Sequence, residues 1–188
     1  MARIAVFGPS SDLTEAIIAC LSGQDDQVIR VTPTFFDPST TANEDAIAAA
    51  FDGLEEIKAL VCVTVDPRSI ETGPLSWARW IEASRGIATI ALLGLQYGGP
   101  LVQRGGSIVL VAASGPYDPA SEAAQGILLG LSRGASGGFA ARGIRVNRVA
   151  TDLSQNAVDQ AEAAAFLVSD AARFVTGADI GRGRREEQ

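Results

Sequence analysis

Few side chains in this chain can do chemistry, and their types narrow what that chemistry is. Ser114, Tyr117 and Asp118 lie within five residues of one another, in a loop of sequence SGPYDP. A phenol exchanges a proton with a substrate when a neighbouring cation lowers its pKa. The only lysine in the chain is Lys58, distant in sequence, so Tyr117 has no lysine partner nearby. There are no histidines, and the two cysteines, Cys20 and Cys62, are isolated. A Ser-His triad and a His- or Cys-ligated metal site are thereby excluded, and no metal is expected. The turn Gly8-Pro9-Ser10-Ser11-Asp12 follows an apolar run. Such a turn cradles phosphate when its backbone N–H groups open onto a helix N-terminus; otherwise it is an ordinary tight connection.

The elements that must position these groups are legible from periodicity. Residues 108–112 (IVLVA) and 144–149 (IRVNRV) read as short strands buried on both faces. A helix over 119–141 joins them, which makes a right-handed βαβ unit. Earlier strands are expected over 3–7, 27–32 and 59–65, with helices over 12–21 (N-cap Ser11 or Asp12), 44–57 (N-cap Asn43) and 81–103. Gly53 stands inside the second helix, and Gly98-Gly99-Pro100 should break the third near its end. Trp77 and Trp80, three apart on a helix, read as core or subunit contact. A final helix over 158–169, burying Ala161, Ala165, Phe166 and Val168, leads to a strand over 174–180. The tail 181–188 is expected to be disordered. The fold class is therefore α/β, strands alternating with helices, as one domain over 1–180. There is no internal repeat.

Bulk properties bound the partners. A net charge of −7 argues against nucleic acid and anionic membrane. No apolar run approaches the roughly 20 residues of a bilayer span. The N-terminus enters a strand directly, without a signal-peptide pattern. Isolated cysteines read as small core residues in a reducing compartment, and the expected location is cytoplasmic.

The pattern GSIVxxxxS ending at Ser114, then a helix, then RGIRVN ending at 147, with FLVSDAARFVTGADI over 166–180, resembles the short-chain dehydrogenase/reductase (SDR) family, which implies a Rossmann-like doubly wound parallel sheet in three αβα layers. The resemblance implies NAD(P)-dependent hydride transfer by a tyrosine, a lysine four residues on, a serine and an asparagine. Aligned without gaps, the serine position falls on Ala113, the tyrosine on Ser121, the lysine on Gln125 and the asparagine on Gly86. None can fill its role: a serine hydroxyl titrates far above a phenol, and Gln125 carries no charge. The family's glycine-rich turn survives only at Gly8. Ser10 and Ser11 are vestigial cofactor-binding positions, and Asp12 puts negative charge where phosphates would sit. The second strand ends in Thr32-Pro33, neither the acidic nor the basic residue that selects NAD or NADP. Residues 34–37 (TFFD) read as a remnant of a third strand. Ala150-Thr151-Asp152 replaces a Pro-Gly and the covering segment after it.

Gly126, Gly130, Gly134 and Gly138 recur every four residues along the 119–141 helix. Each interior glycine costs about 1 kcal/mol against alanine, so the stripe implies close helix approach unless it reflects drift to small residues. Gly137-Gly138 also offers a helix end. The resemblance assigns this helix to the main subunit interface. The expected function is a catalytically inactive SDR-like subunit, in a homo-oligomer or with an active SDR partner, with no cofactor. The alternatives are an NAD(P)-dependent oxidoreductase with displaced groups at Ser114 and Tyr117, and a small-ligand binding protein using the crevice at the strands' carboxyl ends.

Overall fold

The computed structural model describes residues 1–23, 26–32, 43–65, 76–114, 119–152 and 156–181, without the side chains of residues 43, 65, 82, 85, 114, 121, 151 and 152. Runs rich in Val, Ile, Leu and Ala make six strands: β1 (Arg3–Phe7), β2 (Gln27–Val31), β3 (Ile57–Val65), β4 (Val102–Ser114), β5 (Arg145–Asp152) and β6 (Asp179–Gly181). They form one sheet in the order β2-β1-β3-β4-β5-β6, parallel at every pairing. Helices cover both faces, as a parallel sheet requires. Helices α1 (Asp12–Ser22) and α6 (Ala157–Val168) pack on one face, over Val6, Val61, Val111 and Val149. Helices α2 (Asn43–Phe51), α3 (Trp77–Ser84), α4 (Ile90–Leu93) and α5 (Pro119–Phe139) lie on the other, over Phe7, Leu60, Leu110 and Val146. The expected three-layer α/β architecture is the one observed.

Helix ends follow local chemistry. Ser11 caps α1 through a bond from the Thr14 N–H to its Oγ (3.2 Å), and Asn156 caps α6 from Val158 N (3.1 Å). Helix α5 starts on Pro119, whose missing N–H costs nothing at that position. Between α3 and α4 the chain takes a π turn at Arg85–Thr89, and a second at Gly94–Gly98 leads into a 3-10 turn, Gly99–Leu101. Gly94 brings this helix close to the sheet: a Cβ there would lie 2.6 Å from the Cys62 Sγ.

Several sequence expectations need correction. Helix α2 stops at Phe51, six residues short of 57, because Gly53 adopts φ 78° and terminates it rather than sitting inside it. The third helix ends at Leu101, and β4 begins at Val102, taking Gly105 and Gly106 into the strand. Helix α5 runs through Gly137-Gly138 to Phe139, and a 3-10 turn follows before the left-handed Gly143. Trp77 is 76% exposed, so it is not core. Phe166 is 44% exposed, and Ala164 and Leu167 are buried instead. The last strand holds only Asp179–Gly181, with Phe174 87% exposed, so Gly181 belongs to the sheet and not to the tail. The 34–37 remnant, Tyr117, Asp118 and residues 182–188 lie outside the described residues.

Cys62 is fully buried, and burial raises its thiol from 9.0 to about 12, while Cys20 is half-buried. One thiol is therefore expected to react with a disulfide reagent in native protein and both after denaturation; two fast native thiols would contradict this packing. Because the folded value is the raised one, Cys62 favours the fold fully below pH 9 and loses that contribution as pH rises toward 12.

Candidate functional site

In an open parallel sheet the order of strands reverses at one place, and ligands bind there, at the carboxyl ends. Here that place is between β1 and β3, at the head of α1. Gly8 follows β1 with φ 154°, and a Cβ on it would sit 2.3 Å from the Val63 carbonyl oxygen. Close approach of β1 to β3 thus accounts for this glycine without a ligand. Several polar groups around it are already engaged. Gly8 N donates to the Val31 carbonyl (3.3 Å). The Thr14 Oγ1 donates to Pro9 O (2.7 Å) and lies 2.9 Å from the Ser11 Oγ, which already accepts from Thr14 N. Asp12 and Glu15 place two carboxylates in the first turn of α1, and Glu15 is ion-paired with Arg30. Ser10 and Asp12 are exposed at the mouth.

A second polar cluster lies beneath α5. Gln125 is 7% exposed and Arg148, on β5, is 4% exposed. The Arg148 Nη1 donates to both oxygens of Asp179 on β6 (2.8 and 2.9 Å), and its Nη2 donates to the Gln125 Oε1. Burial lowers the Arg148 pKa, and the charges of Asp179 and Glu122 oppose that shift. Two buried donors of this cluster, Gln125 Nε2 and Arg148 Nε, have no acceptor among the described residues. Each unpaired buried donor costs about 1–3 kcal/mol, so the cluster is short of acceptors, not of donors.

No family model matches the chain, and no curated protein matches it by sequence. Solved structures do match by shape. A short-chain dehydrogenase family protein from Francisella tularensis subsp. tularensis SCHU S4 superposes with a TM-score of 0.75 at 15% identity, covering 97% of each chain. A putative short-chain dehydrogenase/reductase from Burkholderia xenovorans gives 0.74 at 22% identity, over 96% of this chain and 94% of that one. The landomycin C-6 ketoreductase LanV, solved with bound NADP and rabelomycin, gives 0.74 at 17%, again over 96% and 94%. The chain has the SDR fold.

Among the described residues, the positions to which the SDR resemblance assigns chemistry lie on both faces of the sheet. Gly86 is buried within the first π turn, which packs on α5, and a Cβ there would meet no described atom within 4 Å. Gln125 lies on the same face of the sheet, engaged by Arg148. Ala113 is fully buried in the cluster under α1 and α6, on the opposite face. The side chains of Ser121 and Ser114, and all of Tyr117, fall outside the described residues. The head of α1 does not fit a pyrophosphate: its hydroxyls bond inward, and a phosphate about 4 Å from one carboxylate is opposed by about 4 kcal/mol at an effective dielectric near 20. Only residues 153–156 separate β5 from α6. Among the described residues no group of three His, Cys, Asp or Glu could hold a metal, and no helix is long and apolar enough to cross a membrane.

On α5 the glycines Gly126, Gly130, Gly134 and Gly138 are all exposed, and a Cβ on any of them would meet nothing within 4 Å. The packing of the described residues thus gives no reason for the stripe.

Arg148 was missed by the sequence reading, although a signal was present. Arg145 and Arg148 interrupt a strand otherwise read as buried on both faces, and buried guanidinium groups require partners. Arg145 finds them at the end of α6, donating to Leu167 O (2.8 Å), Val168 O (3.5 Å) and Ser169 O (3.3 Å).

Proposed function

We propose that this protein is a catalytically silent SDR-like subunit that assembles through the outer face of α5, with a second copy of itself or with an active relative. The observation that carries the reading is the head of α1, where the Ser11 and Thr14 hydroxyls bond inward and the exposed Asp12 carboxylate opposes a phosphate. The uncharged Gln125, in the place assigned to the lysine, supports the same conclusion. The assembly half rests on the exposed glycine stripe, whose helical cost is offset only if another surface packs on it. No dinucleotide, nucleic acid or membrane is needed for this role.

The test pairs two measurements. Fluorescence titration with NADH and NADPH is expected to show no saturable binding below about 1 mM. Mass analysis, alone and after co-expression with an active SDR, is expected to show a stable assembly. Solved neighbours such as LanV with bound NADP favour one other reading, an NAD(P)-dependent oxidoreductase working through Ser114 and Tyr117. Micromolar affinity for either dinucleotide would establish that reading in place of the silent subunit, and a strict monomer in every mixture would remove the assembly half.

A further inference from the structure

The cluster beneath α5 decides more than the absence of a lysine. We infer that Arg148 makes position 125 an obligatory acceptor site, and that it thereby bars any cation, the family's lysine included, from being regained there by a single substitution. The Gln125 Oε1 is the acceptor for the Arg148 Nη2, and the Asp179 carboxylate is engaged by Nη1. A lysine at 125 removes that acceptor, adds three donors and no acceptor, and sets a second positive charge against a guanidinium only 4% exposed. The cluster already holds two unpaired donors, so the change worsens the deficit it has. Asp179 cannot serve both cations fully, because both of its oxygens already face Arg148 and its side chain is 31% exposed. Glu122, the other carboxylate acting on Arg148, lies exposed on α5. A glutamate at 125 has the shape of glutamine and adds acceptor capacity, so the sign of the response separates charge from size.

The inference goes beyond the silent-subunit reading and stands or falls apart from it, since its readout is stability and not dinucleotide binding. The variants are Gln125→Lys, Gln125→Glu, and Gln125→Lys combined with Arg148→Met, each compared with the parent by thermal unfolding of the full chain. Gln125→Lys is expected to lower the melting temperature by about 5 °C or more, Gln125→Glu to stay within about 3 °C of the parent, and the double variant to recover most of the loss. If Gln125→Lys fails to fold, a folded double variant still supports the inference. Equal stability of the lysine and glutamate variants would overturn it. So would a double variant no more stable than Gln125→Lys, because the penalty would then have nothing to do with Arg148.

Discussion

Leucine at Gly130 and Gly134 is expected to leave the protein monomeric at concentrations where the parent assembles. Both glycines are exposed on α5 with open space where a Cβ would be, and neither has a left-handed φ, so the chain itself tolerates a side chain there. What a leucine would block is the approach of a second helix along the stripe. Alanine at the same positions tests the opposite sign within one molecule. Each exposed Gly→Ala change in a helix interior gains about 0.5–1 kcal/mol. The isolated subunit should then melt about 2–4 °C higher per kilocalorie gained, while its assembly weakens. Light scattering and thermal unfolding of the same samples read both effects. Variants that assemble as the parent does would show that the stripe is an outer surface and nothing more.

Arg145→Ala is expected to cost about 3 kcal/mol and to lower the melting temperature by about 6–12 °C. The guanidinium is 9% exposed and answers three carbonyls at the end of α6, where the helix dipole places partial negative charge. Burial lowers its pKa, and the nearby Asp170 opposes that shift. Ser107 adds a bond to the same Leu167 carbonyl (2.9 Å), so one oxygen keeps a partner after truncation and the rest of the cost falls on Val168 and Ser169. Arg145→Lys should recover part of the loss, because one ammonium reaches fewer of these oxygens. A melting temperature within about 2 °C of the parent would mean that water satisfies those carbonyls equally well.

What was legible in the sequence was set by local rules, and what was missed was set by side chains reaching across elements. The apolar runs at 3–7 and 108–112 read as buried strands, and the cap of the helix after the first was narrowed to Ser11 or Asp12, of which the structure uses Ser11. The end of α2 was misplaced because Gly53 inside an apolar pattern does not announce its φ. The last strand was overread for a different reason. The segment after Phe174 is rich in strand formers, yet its polar groups are held by side chains of β5 and by isolated backbone bonds. Asn147 donates to Val175 O (2.9 Å) and accepts from Ala178 N (3.1 Å), while Val146 N donates to the Thr176 Oγ1 (3.2 Å). No ladder is needed until Asp179. At the candidate site, the missing tetrad types were visible at once, but the partner of Gln125 was not. Nothing in the spacing of Gln125 and Arg148 along the chain says that α5 lies over β5 at that height.

The four residues 153–156 between β5 and α6 reach at most about 14 Å even when fully extended. So short a connection leaves no length for a cover of its own, and a hydride donor is useful only where bulk solvent has been driven out. If the silent-subunit proposal holds, an active descendant would need an inserted stretch of chain as well as new side chains, a longer mutational route than four substitutions.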